Sequence, residues 1–337
     1  MKAFSYLELT MKIYLAPILG MTNYRYRNLF TKYFGGIDKY FAPFVTSVNA
    51  EIINPTLLKD LMPERNSVEY LVPQILSNNG DDFKRMAKAI IDLGYKEVNW
   101  NIGCPFSIVT RKNKGAGILA HPDKIRQFLD IVMNNPVCPV SIKMRLGMND
   151  IADFRTVIPI INEYPVSELI IHGRTGKQAY KGVIHKNEMA EAFSLSTIPT
   201  VYNGDIFEYS DYELLTKHFP DTHTFMLGRG ALSNPFLPSR MKGIHIDSSK
   251  KQTILKQFHD ELYTAYENSL YGGKHLMDKM KSIWIYLAVH LKEGDELLKN
   301  IKRAKTVDTY NIVLSEYFGK ERGWNEENGV YYFIGTR

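Results

Sequence analysis

Short apolar runs alternate with helix-like segments along residues 13–240 of the chain. Between most of the runs lie segments with apolar residues at helical spacing, as in 81–93 and 123–133. Eight such units over roughly 235 residues predict an α/β fold of the (β/α)₈ TIM barrel type, because count and length match and no glycine-rich dinucleotide motif follows the first strand. The predicted strands are 13–18, 40–45, 70–76, 98–104, 140–146, 169–172, 200–205 and 224–228.

After residue 243 the pattern changes to helical periodicity alone. Ile254, Phe258 and Leu262 recur at four-residue spacing, which predicts one apolar face of a helix. We therefore expect a catalytic barrel over 1–243 and a helical domain over 244–337. The helices expected in the second domain are 251–270, 274–291 and one or two within 297–318, and residues 319–337 give no clear pattern.

Polar residues stand at the C-terminal ends of six consecutive predicted strands. In a barrel those ends converge on one mouth, where barrel enzymes hold their active sites. The segments 202–205 and 227–230 form short glycine turns, and backbone N–H groups in such turns bind phosphate, as a flavin mononucleotide would require. The strand-end residues are Gln74, Asn101 with Cys104, Lys143 with Arg145, His172 with Arg174, Asn203 with Asp205, and Gly228 with Arg229.

A lone cysteine, Cys104, ends the fourth predicted strand between a glycine and a proline. A thiol there is exposed to whatever docks above the strand, yet a free cysteine is more often a small buried side chain. From the residues alone both interpretations stay open. The second cysteine, Cys138, precedes the fifth strand, at the opposite end of the barrel, and we expect it to be structural.

Composition narrows the setting of the protein. Two cysteines supply neither a disulfide framework nor a zinc cluster, so we expect a reducing cytoplasm and no metal. No run of about 18 apolar residues occurs, and the first dozen residues lack a signal-peptide core, so neither a membrane span nor secretion is expected. The formal net charge of +6 is compatible with an anionic partner such as nucleic acid, without singling one out.

Seven motifs then occur in order: LAPILGMT at 15–22, PQI at 73–75, NIGCP at 101–105, KMR at 143–145, HGRT at 172–175, NGDI at 203–206 and GRGA at 228–231. In this order and strand context, the chain resembles the flavin-dependent tRNA-dihydrouridine synthases. The resemblance implies the barrel, FMN as cofactor, NADPH or NADH as electron donor, and tRNA as substrate gripped in part by the helical domain. We expect a monomer.

The resemblance also implies site residues. Cys104 would be the acid that protonates uracil, and Asn101 would bind the edge of the base. Arg174 belongs to a candidate substrate rim after the sixth strand. The implied flavin contacts are Pro17, Ile18 and Leu19 beneath the ring, Gln74 and Lys143 at its polar edge, His172, and, at the phosphate, Asn203, Gly204, Asp205, Gly228 and Arg229.

Elementary chemistry agrees with these roles. A thiol with a reference pKa of about 8.5 is mostly protonated at neutral pH and can give up its proton. The ammonium of Lys143 and the imidazole of His172 would favour the negative charge of a reduced flavin. The basic loop 110–114, followed by Gly115 and Gly117 as hinges, would close over the flavin and touch RNA phosphates.

The chain departs from the family pattern at Ile18, at Asn23 and in 106–108, without losing the acid or the cofactor residues. Two other classes of protein stay open. One is a flavin barrel enzyme that reduces a free pyrimidine or another small enone. The other is an RNA-binding module that has lost catalysis, and the presence of Cys104, Lys143 and His172 argues against it.

Overall fold

The computed structural model describes residues 11–51 and 53–326. The two ends of the predicted domain organisation, residues 1–10 of the barrel and 327–337 of the helical domain, lie outside these described residues, as does residue 52.

Ten strands form one sheet, and every strand pair in it is parallel. The strands are β1 (Lys12–Leu15), β2 (Lys39–Phe41), β3 (Val45–Thr46), β4 (Leu71–Val72), β5 (Gln74–Leu76), β6 (Val98–Ile102), β7 (Val140–Gly147), β8 (Leu169–Thr175), β9 (Thr200–Asn203) and β10 (Thr224–Leu227). Their order in the sheet is β3-β5-β6-β7-β8-β9-β10-β1-β2-β4.

The predicted strands 40–45 and 70–76 are each divided in two, which is why ten strands replace the expected eight. β2 and β3 are separated by 42–44, and β4 and β5 by a single residue. Pro43 and Pro73 stand in these gaps, and proline has no N–H to give to a strand ladder. The sequence prediction overlooked this interruption.

Helices follow most of the strands, as the alternation predicted. The predicted helices 81–93 and 123–133 are found as α2 and α4, and 297–318 is divided at Thr306, whose side chain caps the second helix. The helices are α1 (Tyr24–Tyr33), α2 (Gly80–Ile91), α3 (Ser107–Thr110), α4 (Pro122–Met133), α5 (Phe154–Ile161), α6 (Lys186–Leu195), α7 (Tyr209–His218), α8 (Arg229–Ser233), α9 (Leu237–Met241), α10 (Ser248–Glu267), α11 (Gly273–Leu287), α12 (Gly294–Arg303) and α13 (Val307–Phe318). Short 3₁₀ turns cover Pro55–Leu58, Pro63–Arg65, Gly115–Ala120 and Ile151–Asp153.

The sheet and its helices pack through apolar side chains that are almost fully buried. Trp100 of β6 stacks on Phe128 of α4 with ring centroids 3.8 Å apart. Phe34, just after α1, contacts Phe258 of α10 at 4.8 Å and Phe236 at 5.1 Å. One continuous cluster of buried residues therefore runs from the sheet into α10–α13. Within 11–51 and 53–326, no helix is both long and apolar enough to cross a membrane.

Candidate active site

A cavity of about 360 Å³ lies at the C-terminal ends of the strands. Every predicted site residue except Arg174 lines it, so the structure brings together residues from five strands, β5 to β9, and from loops that follow strands of the sheet. The lining consists of Ala16, Pro17, Ile18, Leu19, Met21, Pro43, Phe44, Gln74, Asn101, Gly103, Cys104, Pro105, Phe106, Lys143, Arg145, His172, Tyr180, Asn203, Gly204, Asp205, Phe207, Gly228, Arg229, Gly230 and Tyr286.

The backbone around Cys104 is held on both sides. The side-chain oxygen of Asn101 accepts hydrogen bonds from the N–H groups of Gly103 and Cys104, at 3.0 and 2.9 Å. The Cys104 carbonyl accepts one from Ala116 N–H at 2.9 Å. Burial raises the pKa of the thiol above its usual value, against the opposing effects of the Phe106 backbone and of the cations Arg145 and Lys143. The thiol is therefore protonated at neutral pH.

The predicted hinges Gly115 and Gly117 are buried. A Cβ at Gly115 would lie 2.6 Å from the Cys104 carbonyl oxygen, and one at Gly117 would lie 2.4 Å from the Thr110 carbonyl oxygen. Both glycines therefore permit close backbone packing beside Cys104. The charged residues Arg111 and Lys112 before them are exposed, together with the apolar Ile108.

A row of amides lies below the cavity. Asn101 Nδ2 donates to Gln74 Oε1 at 2.6 Å, Gln74 Nε2 donates to Asn99 Oδ1 at 2.7 Å, and Asn99 Nδ2 donates to Ser141 Oγ at 2.9 Å. These four residues, which we call the amide chain, are all less than a tenth exposed. They connect β5, β6 and β7 across neighbouring strands.

Cations dominate the electrostatics of the cavity wall. Burial, with Arg145 nearby, lowers the pKa of Lys143 to about 7, and its Nζ donates to Asn203 Oδ1 at 2.7 Å. Burial and four surrounding cations lower the pKa of His172 well below its usual value, so the imidazole is neutral at pH 7. Its Nδ1 is buried and has no hydrogen-bond partner among the residues that the structure describes. An ordered ligand would satisfy this atom.

Asp205 is the one carboxylate in the lining, and two arginines bind it. Arg174 donates to it from both terminal nitrogens, and Arg229 donates to Asp205 Oδ1 at 2.8 Å. Although burial raises the pKa of Asp205, the two guanidinium groups outweigh that effect and lower it. Arg174 is buried beside the cavity rather than in its lining, and also donates to the carbonyl of Gly182 at 2.7 Å.

Some lining residues were not predicted. Phe44 and Phe207 follow strand ends, so the same positional argument could have found them. Tyr286 lies on α11, from the C-terminal helices, and no local pattern connects it with the strand ends. On the same helix Lys279 donates to the Gly20 carbonyl, in the loop after β1. Cys138 lies just before β7, away from the cavity, and burial raises its pKa to about 11.

Comparison with known proteins identifies the family of this chain. A family model described as dihydrouridine synthase (Dus) matches residues 14–320. The tRNA-dihydrouridine synthase B of Pasteurella multocida is 28% identical over 270 residues, covering 77% of this chain and 80% of that protein. The tRNA-dihydrouridine(16) synthase of Haemophilus influenzae is 25% identical over 315 residues, covering 91% of this chain and 100% of that protein. A solved structure of morphinone reductase has a TM-score of 0.46 and 10% identity, covering 72% of this chain and 88% of that one.

A parallel sheet whose strand ends surround a cationic cavity is typical of α/β enzymes that bind an anionic cofactor. The chain belongs to the dihydrouridine synthase family. Membership implies an oxidoreductase that uses a flavin and acts on tRNA.

Proposed function

We propose that this chain is an FMN-dependent tRNA-dihydrouridine synthase of the cytoplasm, which works as a monomer and takes its electrons from NADPH or NADH. It would reduce the C5–C6 double bond of a uridine in tRNA. The observation that carries the proposal is the presence in one cavity of the protonated Cys104 thiol and the cationic groups of Lys143 and Arg229.

The cavity fits an anionic flavin. Lys143, Arg145 and Arg229 outnumber Asp205 among its charged lining residues. The unpaired Nδ1 of His172 is a buried polar atom that a ligand would satisfy. Gly204 and Gly228, without side chains, leave backbone accessible where the phosphate would lie, beside Arg229. Pro17, Ile18 and Leu19 would contact the ring, with Gln74 at its polar edge and Asn203 and Asp205 near the phosphate.

When bound, FMN would supply the hydride for C6 of uracil. Cys104 would supply the proton for C5, because its raised pKa keeps the thiol protonated at neutral pH. Lys143 and Arg145 stabilise negative charge in a cavity where little water screens it. Asn101 would hold the edge of the base, and Arg174, which binds Asp205, would belong to the rim that contacts the substrate.

The finer architecture belongs to the same proposal. β2 pairs with β4, and β3 pairs with β5. The segment 39–46 therefore pairs with the segment 71–76 in both its first and its second half. Counted as one strand each, they close an eight-stranded barrel without an edge. We assign residues 1–243 to this barrel and 244–337 to a helical domain that binds tRNA.

Flipping a uridine out of folded RNA costs a few kcal/mol, so contacts beyond the cavity are required. The exposed Phe106 and Ile108 offer apolar surface beside the mouth, and Arg111 and Lys112 follow directly. Base stacking on Phe106, apolar contact with Ile108 and phosphate contacts by Arg111 and Lys112 are interactions that suit single-stranded RNA.

The test is an anaerobic one. Reduced protein is mixed with unmodified tRNA, flavin reoxidation is followed at about 450 nm, and dihydrouridine is measured by nucleoside mass spectrometry. Cys104→Ala should lose about 10²- to 10⁴-fold in rate, whereas Cys138→Ala serves as the matched control and should retain activity. Flavin reoxidation by free pyrimidines but not by tRNA would refute tRNA as the substrate and favour a small enone instead. A purified protein without bound flavin would refute the proposal as a whole.

A further inference from the structure

The backbone N–H groups that contact Asn101 determine which atom donates in every hydrogen bond of the amide chain. The backbone N–H groups of Gly103 and Cys104 can only donate, so the atom of Asn101 that faces them must be its oxygen. Asn101 Nδ2 therefore faces Gln74, which must accept with Oε1.

The same reasoning continues along the chain. Because Gln74 accepts with its oxygen, its nitrogen faces Asn99, and Asn99 must accept with Oδ1. The nitrogen of Asn99 is then left to donate to Ser141 Oγ. The chain has one self-consistent direction, and reversing any single amide would place two donors or two acceptors against each other.

The number of N–H groups on Asn101 and Gln74 shows which hydrogen-bond donors remain for a ligand in the cavity. A side-chain amide nitrogen carries two N–H bonds. Asn101 and Gln74, which line the cavity, each use one of them within the chain, and across 11–51 and 53–326 no second partner for either nitrogen is found. Their oxygens are engaged with N–H groups. A ligand therefore meets amide N–H donors from both residues, whereas Asn99 is fully buried and does not line the cavity.

We propose that Asn99 is a positioning residue of this site: by accepting from Gln74 Nε2, it holds the Gln74 amide in the direction that Asn101 sets, so that the second N–H of Gln74 is presented to a carbonyl-bearing ring. This rests on the proposed function, in which the flavin and the uracil are such rings. Donors at the polar edge of a flavin stabilise the charge that its carbonyl oxygens gain on reduction. The amide chain thus raises the reduction potential of the cofactor without Asn99 touching it.

The test compares two replacements of Asn99. Asn99→Leu keeps the approximate volume and removes the acceptor, so the buried Gln74 N–H loses its partner and the amide can rotate. Asn99→Asp keeps an oxygen toward Gln74, and Ser141 can turn its hydroxyl to donate. We expect Asn99→Leu to shift the midpoint potential of bound flavin to more negative values and to lower kcat about tenfold, with KM for tRNA unchanged. Asn99→Asp should restore both values toward wild type.

Two further variants separate positioning from loss of stability. Ser141→Ala removes the far end of the chain and should shift the potential in the same direction by a smaller amount. Asn162→Leu is the control: that amide hydrogen-bonds to Leu195 and Thr197 away from the cavity, so its loss should lower thermal stability and leave the potential unchanged.

A flavin-loaded Asn99→Leu protein with wild-type potential and kcat would overturn the inference, and so would an Asn99→Asp protein as impaired as Asn99→Leu. If Asn99→Leu does not fold, an unchanged potential in Ser141→Ala overturns it instead. A wild-type protein that binds no flavin would refute the proposed function itself, and that failure is recognised before any variant is made.

Discussion

Arg145 Nε donates a hydrogen bond of 2.9 Å to the carbonyl oxygen of Gly103, the residue directly before Cys104. One terminal nitrogen of the same guanidinium donates to the carbonyls of Thr175 and Ala179, at 2.8 and 2.7 Å. Ala179 has a φ of 51°, a conformation that non-glycine residues rarely adopt. Arg145 therefore ties the cysteine turn after β6 to a strained turn after β8.

Replacing this guanidinium by an ammonium should misplace the thiol. Arg145→Lys retains the positive charge but cannot reach three carbonyls in different directions. We expect kcat to fall about 10- to 100-fold, because small displacements of a proton donor are costly. Rates are measured with reduced flavin and tRNA. Arg155→Lys is the control, since Arg155 forms an exposed pair with Glu191; equal losses in both variants would contradict the positional explanation.

Gly115 should tolerate no side chain. Its φ is +56°, and a Cβ would lie 2.6 Å from the Cys104 carbonyl oxygen. Gly94 has a φ of +98° with nothing within 4 Å, so Gly94→Ala measures the cost of the backbone conformation alone, about 1 kcal/mol. We expect Gly115→Ala to cost more in the free energy of unfolding by urea and also to lower kcat. Equal stability and full activity of the two variants would show that the contact is easily relieved.

The affinity for FMN should fall as the pH rises above neutrality. Burial and Arg145 lower the pKa of Lys143 to about 7, so the free protein loses this proton above pH 7. An anionic ligand favours the ammonium form, and binding must then take up a proton, which weakens affinity by up to about tenfold per pH unit. Fluorescence titration of FMN at several pH values above 7 measures the slope. Lys143→Met should remove it, whereas the exposed Lys124→Met should keep it.

Protein stability should decline on the acid side through a buried histidine. His259 hydrogen-bonds to Asp260 through Nδ1 and to Tyr310 through Nε2, at 2.9 and 2.7 Å. Burial lowers the pKa of His259, although Asp260 opposes this effect. The folded protein therefore binds this proton less readily than the unfolded chain, and stability falls as the pH drops below about 6.5.

His259→Gln isolates that contribution. The variant should be less stable than wild type by roughly 1–3 kcal/mol near neutral pH, because the buried contacts are lost. As the pH falls, protonation of His259 favours the unfolded wild-type chain. The difference between the two proteins in the free energy of unfolding should therefore shrink between about pH 6.5 and 5. Denaturation by urea across this range measures it, and a constant difference would show that His259 does not titrate on unfolding.

The clustering of Gln74, Lys143 and His172 could be predicted, because a parallel arrangement brings neighbouring strands together whatever their distance in sequence. The ends of the strands could not be predicted as well: Gln74 begins β5, and Lys143 and His172 lie within β7 and β8. The proposed role of Cys104 as the acid rests on the family resemblance, since its sequence pattern alone equally fits a buried structural cysteine.

What escaped prediction depends on partners distant in sequence. Tyr286 reaches the cavity only because α11 packs over the loop after β1. Gly115 was predicted to be a hinge because it is a glycine. Its close contact with Cys104 depends on how the loop packs and cannot be inferred from the residue type. The pairing of Arg174 with Asp205 also escaped prediction, since nothing in the sequence shows that these two side chains bind each other.

The apolar cluster that runs from the sheet into α10–α13 has a consequence for the predicted domain border at residue 243. The secondary structure changes at this border from alternating strands and helices to helices alone, but the buried apolar cluster continues across it. Phe34 and Phe258 bury each other across it, so neither part keeps a soluble surface when the other is removed. The C-terminal helices cannot be exchanged between relatives unless the aromatic residues on both sides of the border are exchanged with them. Thermal unfolding of the two parts should therefore occur in one cooperative transition.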